Sequence, residues 1–326
     1  MGKHAPKLVT IFGGSGFVGR QLVQHLAKKG YRIRVAVRRP DLAGDVRPLG
    51  AVGQIHPVQA NVRDMPSVER AVAGADIVIN LTGILFESGK QKFQAVQTNG
   101  AKNVAEAAKA AGASQLVHMS ALGADAESES DYARSKALGE QAVLKAFPQA
   151  IIIRPSIIFG SEDGFFNMFG ALARLSPVLP LVGGNTKMQP IYVGDVADAF
   201  DVAAEGGVKG GKIYEIGGPT VETMKELLQR LLREIERKNL LLPIPTPIAK
   251  AIGWVMQILP NPMLTVDQVK LLQHDNVVSE EAKKQKRTLK AFGIEPKTMA
   301  AIMPTYVWRF MKHGQFDRRT EPLQRD

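Results

Sequence analysis

The chain of 326 residues contains no cysteine and only six histidines. Disulfides, thiolate metal sites and a cysteine nucleophile are therefore excluded, and the histidines lack metal-ligand spacing, so no metal centre is expected. Aromatic residues make up only 6% of the sequence and are not interleaved with basic residues into a stacking platform. That argues against a nucleic-acid partner despite a net charge of +11. No apolar run is long enough to cross a bilayer. The best candidate, residues 247–259, would rise about 20 Å as a helix against about 30 Å of hydrocarbon. The first seven residues are polar and lead directly into a strand, so no secretory or mitochondrial transit sequence is expected ahead of it. With 45% hydrophobic residues the chain can build a full core, as one large α/β domain or two smaller ones.

The rest of the sequence is organised around one glycine-rich stretch, Gly13, Gly14, Ser15, Gly16, Phe17, Val18 and Gly19. Residues 8–12 form a short apolar run of β-formers, and residues 18–28 carry apolar side chains at helical spacing. The glycines therefore fall at a strand-to-helix turn. There Gly13 lets the backbone reverse, Gly16 lets it approach a pyrophosphate, and Gly19 lets the helix pack close to the strand. The phosphates of a dinucleotide would rest on the free N–H groups and positive dipole end of that helix.

Residues 31–37 alternate as a second strand and end in Arg38 and Arg39. An acidic residue at this distance from the loop would bond the adenosine ribose of NAD, whereas guanidinium groups suit a 2′-phosphate, so NADP(H) is favoured over NAD(H). Asp41, after the proline, could swing back and reverse that preference. The third strand, residues 54–58, leads to Asn61 and Val62, candidates for contact with adenine. A helix cap by Asp64 accounts for part of that pattern without a ligand. A fourth, nearly all-apolar strand over 76–81 reads as buried on both faces. Leu81, Thr82 and Gly83 continue the cofactor cleft at its end.

A long helix is expected over 92–111, a fifth strand over 115–119 ending at Ser120, and another helix over 132–146. Tyr132 and Lys136 are four apart and share a helix face, while Ser120 sits at the carboxyl end of a strand, where open α/β sheets bind ligands. A lysine beside a phenol can lower its pKa, making Tyr132 a proton donor or acceptor, with Ser120 holding a substrate oxygen.

In this order the residues resemble the extended or atypical branch of the short-chain dehydrogenase/reductase superfamily. The resemblance rests on the glycine loop, Ser120, the Tyr132 and Lys136 pair, Asn99, and later stretches around Tyr192 to Asp195 and Tyr214 to Pro219. It implies that Asn99 joins Ser120, Tyr132 and Lys136 as a catalytic group, and that Pro155, Ser156 and Ile158 close over the nicotinamide. From Lys136 onward the sequence is similar to the nucleotide-binding accessory subunit of respiratory complex I. That likeness includes Ser135 to Glu140, Phe159 to Asp163, Gln189 to Val193, Thr265 to Val269 and Asp275 to Val278. It implies a held NADPH and a structural or assembly role beside a membrane enzyme. An active NAD(P)-dependent reductase or epimerase, including one of quinone biosynthesis, would use the same cleft, and the substrate is not legible.

The fold class expected is α/β: a Rossmann-type doubly wound parallel sheet over residues 1–160, with later strands contributed by about 188–218. A smaller, mainly helical lobe over 161–326 carries a basic tail. Between 240 and 326 there are 13 Lys and Arg against eight Asp and Glu, with a cluster at Lys283, Lys284, Lys286 and Arg287. The cluster reads either as a solvated helix face or as an anionic contact. Lys250, Trp254 and Gln257 make a polar-aromatic stripe on an apolar helix. Such a helix suits a membrane interface or a partner surface, or burial as the roof of the second lobe, which is the setting extended-branch lobes favour. The expected partners are complex I subunits or the inner face of a bacterial cytoplasmic membrane.

Overall fold

The computed structural model describes residues 6–312; Met1 to Ala5 and residues 313–326, the last part of the basic tail, lie outside them. Seven parallel strands form one sheet. They are β1 (Leu8–Phe12), β2 (Arg32–Val37), β3 (Ile55–Gln59), β4 (Ile77–Asn80), β5 (Gln115–Met119), β6 (Ile151–Pro155) and, much later in the chain, Lys212–Ile216. Between the last two come the short strands β7 (Ile158–Phe159), β8 (Val178–Leu181), β9 (Lys187–Met188) and β10 (Ile191–Tyr192), which makes Lys212–Ile216 β11. Across the main sheet the order is β11-β6-β5-β4-β1-β2-β3. It is a doubly wound Rossmann-type α/β sheet whose order reverses between β1 and β4.

Burial on both faces explains the apolar text of the central strands. Ile77, Val78 and Ile79 of β4 are all inaccessible to solvent, their side chains alternating between two cores. One core packs the sheet against α1 (Phe17–Lys28) and the later helix Val193–Ala204. The other packs it against α2 (Met65–Val72), α3 (Gly100–Ala110) and α4 (Asp131–Ala146). The expected continuous helix over 92–111 is instead a π-helical turn, Gln94–Asn99, followed by α3. Thr98 donates to the Ser135 carbonyl at 3.0 Å and Gln97 to the Ile84 carbonyl at 2.7 Å, so side-chain bonds from this turn hold α4 and the loop after β4. Asp64 starts α2 without a side-chain cap; Ser67 makes the bonds there, to the carbonyls of Asn61 and Asp64.

A third core forms the second lobe, from α5 (Phe166–Leu175), β8 and the helix Met224–Glu234, with residues 299–310 of the tail laid over them. Numbered in chain order, Val193–Ala204 is α6, Met224–Glu234 is α7, and α8 to α10 are Thr246–Met256, Val266–Leu271 and Glu280–Lys284. Thr223 and Glu226 close a reciprocal capping box on α7.

Helix α8 is not a buried roof. Only Ala249 and Gly253 of it are buried, while Trp254 is 68% exposed and Ile248, Ile252 and Val255 also face solvent. Its inner edge holds small residues because a Cβ on Gly253 would stand 2.9 Å from the Thr265 carbonyl carbon. No helix among the described residues is long and apolar enough to cross a membrane. The basic cluster is likewise not one solvated helix face. Helix α10 ends at Lys284, Lys283 pairs with Glu280 at 2.7 Å, and Lys286 adopts a left-handed backbone with φ 54.

Candidate functional site

The glycine loop joins β1 to α1 at the carboxyl edge of the sheet, beside the point where the strand order reverses. Gly13 has φ +78, and a Cβ there would press within 3.2–3.3 Å of the Leu81 and Thr82 backbone. A Cβ on Gly19 would stand 2.4 Å from the Gly13 carbonyl oxygen, so only glycine allows α1 to begin this close to the turn. Gly14 is buried, Ser15 and Phe17 half-buried, Val18 buried and Gly16 exposed. Gly16 caps α1 without a side-chain hydrogen bond, and the first turn contains no acid. Its N–H groups are thus left for an anionic group, and the residues present fit a dinucleotide pyrophosphate. Arg20, on the same turn, pairs with Asp45 and Glu162, tying the loop to the second lobe.

Arg38 and Arg39 follow β2 and are exposed. Asp41 turns onto Arg39 at 3.2 Å, leaving Arg38 without an ion pair among the described residues. Val62 is buried, whereas Asn61 is half-buried with its amide oxygen accepting from the backbone and Nε of Arg63. Leu81 is buried, Thr82 half-buried and Gly83 exposed, with the Thr82 N–H held by Asn80 Oδ1 at 3.0 Å.

Ser120 is buried directly after β5, and its Oγ has no hydrogen-bond partner. Lys136 is buried on α4; its Nζ donates to the Met119 carbonyl at 3.2 Å and lies 6.0 Å from the Tyr132 ring centre. A Cβ on Gly83 would be 3.3 Å from that Nζ, which places the lysine between the strand ends of β4 and β5. Tyr132 is half-buried, edge-on to Phe93 at 5.8 Å. Its pKa does not fall as the nearby lysine led us to expect: burial pushes it up to about 12. Burial also lowers Lys136 to about 8, with Glu140 opposing that shift. Desolvation wins because neither group has an opposite charge in direct contact. Asn99 is exposed at the end of the π-turn and makes no hydrogen bond to Ser120, Tyr132 or Lys136.

Of the residues expected near the nicotinamide, Pro155 is buried at the end of β6 and Ile158 half-buried in β7. The Ser156 hydroxyl is already engaged, donating to Asn276 Oδ1 at 2.7 Å. Asn276 also accepts from the Ile157 N–H and ties the tail to β9.

Three groups have no role assigned to them by sequence reasoning. His118 is a buried imidazole within β5, bonded to Asn80 at 3.2 Å and held neutral, its pKa lowered to about 3 by burial and by the charge of Lys136. A histidine inside an apolar strand was the available signal. Glu140 and Glu215 flank Arg154, the first at 2.7 Å, locking α4 to β6 and β11. Asp267, at the start of α9, accepts from Ser130 Oγ at 2.8 Å and from the N–H groups of Asp131 and Tyr132 at 2.8 and 3.1 Å. A tail residue thereby caps the helix that carries Tyr132 and Lys136. No local pattern announces a cap made across 136 positions of sequence.

A glycine turn opening onto a bare helix end, and a serine, tyrosine and lysine gathered beside it at the strand ends, define a nicotinamide-dinucleotide-binding protein of the short-chain dehydrogenase/reductase type. The chain belongs to the NAD dependent epimerase/dehydratase family, whose pattern matches residues 9–217. It is 37% identical over 290 residues to the mitochondrial NADH dehydrogenase (ubiquinone) 1 alpha subcomplex subunit 9 of Arabidopsis thaliana, covering 85% of this chain and 72% of that one. It is also 37% identical over 197 residues to a ceramide reductase of Caulobacter vibrioides, covering 60% of this chain and 61% of that one. Among solved structures, the NADPH-dependent quinone oxidoreductase of Escherichia coli complexed with NADPH superposes with a TM-score of 0.70 at 20% identity. That match covers 90% of this chain and 97% of the other, a likeness of fold.

Proposed function

We propose that the chain holds a nicotinamide dinucleotide, NADP(H) in preference to NAD(H), and serves as an accessory or assembly subunit of respiratory complex I. The observation that carries this reading is the similarity to the alpha subcomplex subunit, which extends well past the 9–217 family segment into the tail. When bound, the cofactor supplies a hydride acceptor or donor. The residues of this chain hold it: the loop at Gly13, Gly16 and Gly19 takes the pyrophosphate, Arg38 the 2′-phosphate and Lys136 the nicotinamide ribose. The exposed apolar face of α8 around Trp254 supports docking at the inner face of a cytoplasmic membrane or on a neighbouring subunit. Purification from native membranes tests the reading: the chain is expected to travel with complex I subunits and to carry bound NADPH. Recovery in the soluble fraction, free of those subunits, would overturn it.

A second reading, an active NAD(P)-dependent reductase, is favoured by the unpartnered Ser120 Oγ and the similarity to a ceramide reductase. Ser120 would hold a substrate carbonyl and Tyr132 deliver a proton to its oxygen. Turnover of NADPH on a panel of carbonyl compounds, lost in Tyr132→Phe, would put this reading first.

A further inference from the structure

Away from the nucleotide cleft, the outer edge of the main sheet carries an open, cationic cavity. Its volume is about 490 Å³, and Lys209, Lys212, Tyr214, Gln285, Lys286 and Arg287 line it. Lys212 opens the edge strand β11, so the cavity lies toward the amino end of the parallel sheet, while the dinucleotide loop lies at the carboxyl end. We propose that this cavity is a binding site for a phosphate monoester.

Three observations point to an anion of that kind. No acidic residue lines the cavity, and none of Lys209, Lys212, Lys286 and Arg287 forms an ion pair among the described residues, although neighbouring Lys283 does. The Arg287 Nε is buried without a hydrogen-bond partner, while its Nη1 is anchored on the Ile213 carbonyl at 2.8 Å. The bond to Ile213 fixes the guanidinium in the wall, so its charge stands at the cavity without the entropy cost of ordering a free arginine side chain. Lys286, next to it, holds its left-handed backbone by closing the C-terminal cap of α10, its N–H on the Lys283 carbonyl at 3.1 Å and the Arg287 N–H on the Ala282 carbonyl at 2.8 Å, which fixes where the two cations stand. The wall is also rigid. Tyr214 donates to the Lys209 carbonyl at 3.0 Å and packs on Phe292 at 5.1 Å, and the Arg287 carbonyl accepts from the Glu215 N–H at 3.0 Å. Four uncompensated cations exceed what a single carboxylate needs, whereas a phosphate with up to two negative charges and several acceptor oxygens uses them.

The test uses the full chain and three probes: inorganic phosphate, glycerol 3-phosphate, and vesicles of phosphatidylcholine with or without phosphatidic acid. Calorimetry at low salt is expected to show saturable binding of phosphate or glycerol 3-phosphate, weakening as salt rises. In Lys209→Ala/Lys286→Ala the affinity falls by roughly ten- to a hundredfold, the loss of up to two charge-assisted contacts. Arg287→Lys, which keeps the charge but removes Nε, falls similarly. Both variants keep wild-type nucleotide binding, which shows that they fold. Binding to phosphatidic-acid vesicles, competed by glycerol 3-phosphate, assigns the site to a lipid head group. Binding of the soluble probes with no vesicle capture assigns it to a soluble phosphate. The proposal is overturned if neither probe binds, if the variants bind as wild type does, or if an acidic peptide binds where phosphate does not.

Discussion

Removing the carboxylate of Asp267 perturbs the site from the tail. In Asp267→Ala, helix α4 loses an acceptor that takes three hydrogen bonds, from Ser130 Oγ and from the N–H groups of Asp131 and Tyr132. Each charge-assisted bond is worth about 1.5–3 kcal/mol where water cannot replace it. Water does replace it at the exposed Asp131, and Ser130 keeps its own capping bond to the Ala133 N–H. The remaining loss resembles that of an N-cap, about 0.5–2 kcal/mol, together with about 0.3–1 kcal/mol from the helix dipole, or roughly 2 kcal/mol in all. At a few degrees per kcal/mol for a chain of this size, the melting temperature should fall by about 4 °C. The informative readout is nucleotide affinity. Tyr132 begins on the first turn of α4 and Lys136 one turn later, so loosening that end should weaken NADPH binding by about tenfold, a change of about 1.4 kcal/mol. Asp267→Asn retains one acceptor oxygen and should recover part of both losses. If Asp267→Ala melts as wild type does and binds NADPH within twofold, the tail does not position α4 and the reasoning is wrong.

The charge on Arg38 should matter to NADPH and not to NADH: Arg38→Ala/Arg39→Ala should weaken NADPH by roughly ten- to a hundredfold in titration, and equal losses for both cofactors would reject the 2′-phosphate contact. Lys136→Met should reduce the thermal shift given by NADPH, because a ligand bound only to the folded state stabilises it by mass action, whereas Tyr132→Phe should leave that shift intact. Since burial lowers Lys136 to about 8, wild-type NADPH affinity should also decline above that pH, and a flat profile would remove the ammonium from the site. His118 gives a stability signal on the acid side. Its folded pKa of about 3 lies below the ordinary value near 6.5, so between those limits the unfolded chain holds the extra proton. Stability should then fall as pH drops through that window, by up to about 1.4 kcal/mol per pH unit, and His118→Gln should flatten the slope in denaturant titrations. Trp254→Glu, on the exposed face of α8, should shift stability by no more than about 0.5 kcal/mol yet release the protein from membranes at low salt; retention would exclude α8 from docking.

The sequence by itself determined the parts whose cause is local. Strand β1, the glycine turn and α1 were legible because a short apolar run of β-formers, a three-glycine spacing and a helical repeat follow one another over about twenty residues, and each constrains only its neighbours. The same holds for Ser120 at a strand end and for Tyr132 and Lys136 on one helix face. What depends on contacts made across the chain was decided by the tertiary structure. The carboxylate that caps α4 comes from Asp267, the hydroxyl of Ser156 is claimed by Asn276, and α8 lies with its small residues inward and Trp254 outward. The protonation of the site was decided there as well. Proximity of Lys136 alone predicts a more acidic Tyr132, but burial, which no spacing encodes, raises the phenol and lowers the lysine. Likewise the basic run at residues 283–287 is a string of like charges in the sequence. Only the end of α10 and the left-handed turn at Lys286 divide it, leaving Lys283 paired with Glu280 while Lys286 and Arg287 wall a cavity with Lys209 and Lys212, more than seventy positions away.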